Sequence, residues 1–186
     1  MEAKIPFYNI VNIFLPGLVL IGSCVMLFLD KIEDFAKQIA KLGSAGLEVV
    51  VTMALIAIAY EVGYIIFRLG STIIEPILKK MFGWAEYSDF IAAGKVSAKA
   101  HDKLEMLSRE YGFARTQIVL FIALSVLTGV NALITKIIAQ WILCTVCVAC
   151  VILFVLTARD HMIKIQEAVR QYLVVITSES TGNATG

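Results

Sequence analysis

The sequence predicts an all-α fold: a four-transmembrane-helix bundle with a cytoplasmic helical hairpin extending spans two and three. Three observations predict it. First, the 186-residue chain is 59% hydrophobic with mean hydropathy +0.84, whereas a soluble domain is nearer half apolar. Second, residues 5–29, 116–135 and 137–158 carry no Asp, Glu, Lys or Arg and are long enough to cross a bilayer. A fourth stretch, 49–67, is interrupted only by Glu61. Third, the helical period of span two does not stop at its polar end but runs on through "STIIEPILKKMF".

Span one opens with "IPFYNIVN", where Pro6 suits a helix start because its missing N–H would be unpaired there anyway. Pro16 and Gly17 should loosen the helix within the membrane. The span is too long for a cleaved signal and lacks a small-residue cleavage pattern. "IGSC" at 21–24 resembles a lipoprotein box, but the apolar run continues beyond it. The loop after span one places Ile32, Phe35, Ile39 and Leu42 on one face of a short amphipathic helix. Residues 1–67 thus form spans one and two with this outer loop.

Residues 68–115 read as the hairpin. Pro76 should kink the span-two extension or begin a new first turn. Gly83 should end it, with Ser88 or Asp89 as the next N-cap. Ala93, Ser97, Ala100, Leu104, Leu107 and Tyr111 then recur at alternating spacings of four and three, a heptad-like seam. That seam is expected to pack on the span-two extension or on a neighbouring copy, and it is the expected docking face for a cytoplasmic partner. Glu105 and Arg109, four apart, suit an ion pair.

Spans three and four occupy 116–158 and must form a tight antiparallel pair around Lys136, with Trp141 as an interfacial aromatic. Residues 159–177 should continue as a helix, and 178–186, "SESTGNATG", are small, polar and expected to be disordered. Twelve of the sixteen Lys and Arg fall in the termini and the middle segment, and four in the other two loops. Both termini and the hairpin are therefore expected in the cytoplasm. The "NAT" sequon at 183–185 would then never meet its enzyme.

No motif for nucleophilic, phosphate-binding or zinc-protease chemistry occurs. The chain is expected to be no enzyme and to hold no cofactor or metal. The net charge of +1 offers nothing to nucleic acid. Cys144, Cys147 and Cys150 form C-x-x-C-x-x-C, but on a helix turning about 100° per residue they fan across one side rather than converge. They read as small packing residues. His101 and His161 lie 60 residues apart without ligand-like neighbours.

The polar residues inside the spans remain. Glu61, Arg68 and Glu75 recur at a spacing of seven. Arg68 marks the water boundary and Glu75 lies outside it. Glu61 is then about 10 Å deeper at 1.5 Å per residue, where a carboxylate normally faces the bundle interior or water. Asn12 and Ser125 fall near its depth, whereas Asn131 is nearer the outer face and suits an interhelical hydrogen bond. Ala57, Ala59, Gly63 and Gly70 give span two small positions for close contact. Glu61 and Arg68 are expected to act as polar glue within or between subunits; the alternative is a pore or ion-channel effector with Glu61, Asn12 and Ser125 along the path.

"YEVGYIIFRLGSTIIEPIL" leaving span two, the hairpin, and "SREYGFAR" entering span three together resemble the layout of small four-span bacterial membrane proteins of antiphage systems. Among these it is similar in layout to the KwaA family, the membrane subunits of the Kiwa defence system. The resemblance implies a homo-oligomeric inner-membrane sensor that holds a cytoplasmic DNA-binding effector; it carries over no site residue. The expected function is thus a homo-oligomeric scaffold or sensor in a bacterial inner membrane, with the lipid bilayer, further copies of itself and a cytoplasmic protein as partners.

Overall fold

The computed structural model describes residues 10–27, 33, 37 and 45–182. A π-helical turn, Ile10–Phe14, runs into α1 (Leu15–Leu27). Helix α2 (Ala45–Leu69) passes through a second π-helical turn, Gly70–Ile74, into α3 (Glu75–Phe82). The short α4 (Tyr87–Gly94) leads to α5 (Ala98–Thr135) and α6 (Ile138–Gly182). Ile10–Leu27, Val49–Phe82, Ala98–Thr135 and Ile138–Thr177 are each long and apolar enough to cross a membrane. The all-α, four-span expectation therefore holds. The amphipathic outer helix through Ile32, Phe35, Ile39 and Leu42 lies outside the described residues, as does the sequon at 183–185.

The two ends of the bundle pack by different rules. At the polar end, Leu78 of α3, Ala93 of α4, Leu104 and Leu107 of α5, and Met162 and Ile165 of α6 form one buried core. Burying such a Leu, Met or Ile side chain away from water stabilises by about 1.5–3 kcal/mol. At the apolar end most side chains face outward, and only 11% of the most apolar window of α6 is buried. Hydrocarbon offers no gain for hiding apolar side chains from lipid, so contact there depends on small residues and close backbones.

The crossing of α1 and α2 shows this. A Cβ on Gly17 would stand 1.8 Å from the Ala59 carbonyl oxygen, and one on Gly63 would stand 1.8 Å from that of Ile13. Each glycine admits the other helix's backbone. At the far side, α5 and α6 meet through Phe154, which stacks on Phe121 at 5.6 Å and takes Phe113 edge-on at 6.2 Å. Their turn rests on Lys136, left-handed at φ 56°, whose N–H bonds the Ala132 carbonyl at 2.9 Å.

Pro76 marks a new first turn, and the π-helical turn lies just ahead of it. Within this turn the Glu75 N–H reaches back to the Gly70 carbonyl. The hydroxyls of Ser71 and Thr72 donate to the carbonyls of Phe67 and Arg68 at 3.2 and 2.9 Å, a habit that loosens a helix. Proline cannot donate to the ladder, and the π turn stands directly ahead of that missing bond.

Three local expectations need correction. Ser88 and Asp89 lie inside the first turn of α4, whose N-cap is Glu86. The helix through 93–111 is not continuous: α4 ends at Gly94, and Ser97 caps α5, its Oγ accepting the Ala100 N–H at 3.1 Å. Serine's side chain competes for backbone N–H groups, which suits it to a cap rather than a seam. Finally, α6 stays helical through Gly182, past 177 where the sequence predicts a disordered tail; residues 183–186 lie outside the described residues.

Candidate functional site

Glu61 is exposed, not inside the bundle. On a helix of about 100° per residue, the buried Ala59, Gly63 and Ile66 share one face of α2, and Glu61 and Arg68 sit roughly 180° from it. The Arg68 guanidinium lies over the Tyr64 ring, 5.4 Å from its centroid, on the same outward side. Glu61 has no ion-pair or hydrogen-bond partner among the described residues. The small positions divide accordingly. Ala59, Gly63 and Gly70 are consumed inside the chain, by α1 and by Arg115, while Ala57 faces out.

The polar residues of the spans do not converge on one path. Asn12 is buried in the π turn that crosses α2 at Gly63, opposite Glu61. Ser125 donates to the Ile122 carbonyl at 2.8 Å, and its own carbonyl faces Cys144 Sγ at 3.4 Å on α6. Asn131 is half-buried near the Lys136 turn, and its carbonyl accepts the Thr135 hydroxyl at 2.8 Å. A pore lined by Glu61, Asn12 and Ser125 within one chain is thus ruled out by the facing of α2. The cysteines fan as their spacing predicts: Cys147 is buried beside Ile66, Leu120 and Leu124, and Cys144 packs near Gly129.

The predicted docking seam is occupied. Ala93, Ala100, Leu104, Leu107 and Tyr111 are all buried, and Ser97 is exposed as a cap. What covers the seam is neither the span-two extension alone nor a second copy but α6, through Ala158, Met162, Ile165 and Val169. Those four recur at 4, 3 and 4, a matching seam readable in the sequence. Reading residues 159–177 as a C-terminal helix on its own, rather than as half of a helical pair, hides it.

The strongest polar constellation lies where the helices leave the apolar layer. Glu75 joins Arg115 across α3 and α5 and also holds Lys79 at 2.7 Å. Its side chain is 22% exposed and that of Arg115 is 12%. The Arg115 guanidinium lies over the rings of Phe67 and Tyr111, at 5.6 and 5.7 Å from their centroids. Had α2 continued in α register, Glu75 would share the outward stripe of Glu61 and Arg68. A π turn holds about one extra residue, which rotates the next helical segment by about 100° and brings Glu75 inward. Sequence reasoning missed this pair, although Arg115 is the last charge before the apolar run and Glu75 directly precedes Pro76.

Around the pair opens a cleft of about 500 Å³ between α3, α4 and α5. Trp84 and Tyr111 meet in it with ring centroids 5.2 Å apart, and Lys95, Arg109 and Phe90 line it. Burial, with the Glu75 carboxylate nearby, pushes the Tyr111 hydroxyl up to about 12. Glu105 and Arg109 form the predicted ion pair on its rim. Farther round α5, Glu110 stands 3.3 Å from His161 Nδ1. No family model, curated protein or solved structure matches this chain.

Proposed function

We propose that the chain is a homo-oligomeric scaffold or sensor subunit of a bacterial inner membrane that recruits a cytoplasmic partner, in keeping with its resemblance to antiphage membrane proteins. The observation that carries this reading is the outward Glu61. A charge at membrane depth costs about 3 kcal/mol against lipid, and within the described residues nothing relieves it. A second copy does, by supplying polar contact at the same depth. Copies inserted in one orientation set Glu61 and Arg68 about 10 Å apart along the axis, and the Arg68 guanidinium already leans back over Tyr64 toward Glu61. Glu61 then meets its own equivalents near a symmetry axis or the Arg68 of a neighbouring copy, both on the same outward stripe of α2. The partner-docking role moves from the buried seam to the exposed surface of the polar end, where Tyr87 and Val174 project at 78% and 63%.

The test is subunit mass in nanodiscs, with cysteine cross-linking from Ala57→Cys in a background lacking the four native cysteines. The wild type should form a defined oligomer, and the Ala57→Cys variant should cross-link through position 57. Glu61→Leu should shift the mass towards the monomer. A wild-type monomer, or an oligomer indifferent to Glu61→Leu, refutes the reading. The same stripe supports a second reading, a path between copies lined by Glu61. Conductance in planar bilayers that changes on Glu61→Gln would select it.

A further inference from the structure

We propose that the cleft between α3, α4 and α5 binds an anionic phosphate ester, its oxygen on the Tyr111 hydroxyl and the Arg115 Nε–H and its apolar part against Trp84 and Phe90. Two buried donors point to it. Tyr111 is 3% exposed, and neither its hydroxyl nor Arg115 Nε has a hydrogen-bond partner among the described residues. An unpaired buried polar group is costly, and native structures rarely leave two together without an acceptor to receive them. Both belong to residues lining this one cleft. Glu75 holds Arg115 through Nη1 and so fixes the guanidinium without using Nε.

The charges select an anion. The two lining carboxylates, Glu75 and Glu105, are each engaged by an arginine, Arg115 and Arg109. Lys95 lines the same cleft and has no ion pair among the described residues. Apart from His101 and Ser108, the remaining wall is aromatic and apolar, with Trp84, Phe90 and Phe67, as in sites that hold a ligand's body apolarly and orient it by a few polar groups. Phe67 ends the apolar stretch of α2 and Arg115 precedes that of α5, so the cleft opens at the depth of lipid phosphates. A phospholipid headgroup and a soluble phosphate ester share the required chemistry, and depth favours the lipid. The site stands whether or not copies associate along the Glu61 stripe.

The experiment uses the full chain in a phosphate-free maltoside detergent. The chain has two tryptophans, so Trp141→Phe leaves Trp84 as the reporter. Dispersed phosphatidylglycerol is titrated in one arm and AMP in the other, with diacylglycerol as the lipid body lacking phosphate. At least one phosphate ester should change Trp84 emission saturably and raise the Tm, and diacylglycerol should not. Response to phosphatidylglycerol alone identifies a bilayer ligand; response to AMP alone identifies a soluble one. Tyr111→Phe should weaken binding about tenfold or more, the loss of a hydrogen bond to a charged group. Its ligand-free Tm should equal or exceed that of the parent, because the hydroxyl removed has no partner. No response to either ester, an equal response to diacylglycerol, unchanged binding by Tyr111→Phe, or a lower ligand-free Tm each overturns the proposal.

Discussion

Gly17→Ala probes the crossing that sets the facing of α2. The added Cβ would stand 1.8 Å from the Ala59 carbonyl oxygen and 2.6 Å from the Gly63 nitrogen. Ordinary contact begins at 3.4 Å, so the backbones must part by about 1.6 Å, the gap between 1.8 and 3.4 Å. Overpacking typically costs about 1–3 kcal/mol. The obstacle here is backbone, which cannot swing aside as a side chain can, so the upper end applies. Alanine's better helix propensity returns about 1 kcal/mol. The expected net loss is about 2 kcal/mol. Gly22→Ala on the same helix is the control, because its Cβ meets nothing within 4 Å; it should be neutral or stabilising by up to about 1 kcal/mol. Unfolding in detergent, followed by helicity, measures both. If Gly17→Ala is as stable as Gly22→Ala, the helices do not cross at these glycines, and the outward assignment of Glu61 falls with the crossing.

Other perturbations address the remaining junctions. Glu75→Gln and Arg115→Met should show a coupling of about 1–2 kcal/mol in a double-mutant unfolding cycle, less than for a fully buried pair because both side chains retain some exposure; coupling near zero would remove the bridge between α3 and α5. Lys136→Gly should stabilise by about 1 kcal/mol, because a left-handed turn costs an L-residue that much and glycine nothing; unfolding midpoints decide it. Tyr111, with a folded pKa near 12 against an ordinary 10.0, is favoured in its neutral form by the fold. That stability is whole below about pH 10 and is lost as pH climbs through about 12. A difference ultraviolet titration of wild type against Tyr111→Phe should show this phenol ionising later than an ordinary tyrosine, and an ordinary midpoint would contradict its burial.

Much of the architecture is legible in local chemistry. The four spans follow from uncharged apolar runs, and the tight turn at Lys136 from the few residues left between two of them. The unbroken passage of span two through Pro76 follows from a period that does not stop. The Glu105–Arg109 pair and the fanning cysteines follow from helix geometry alone. Each of these depends on residues within a few turns of one another.

The facing of the charges and the partner of the seam are not legible in this way. Glu61, Arg68 and Glu75 share a spacing of seven, yet the π turn at Gly70–Ile74 turns the third inward while the first two face out. Phase accumulates along a helix, so one extra residue per turn resets every facing beyond it. The seam through Leu104 and Tyr111 is visible, but several surfaces are apolar enough to cover it. The long return of α6 takes that place, and only the packed arrangement could choose among them. Hydropathy by itself determined which stretches of this chain can cross a membrane; tertiary contact decided which side of each helix meets protein, because facing is set by accumulated phase and by competition for the same apolar surface.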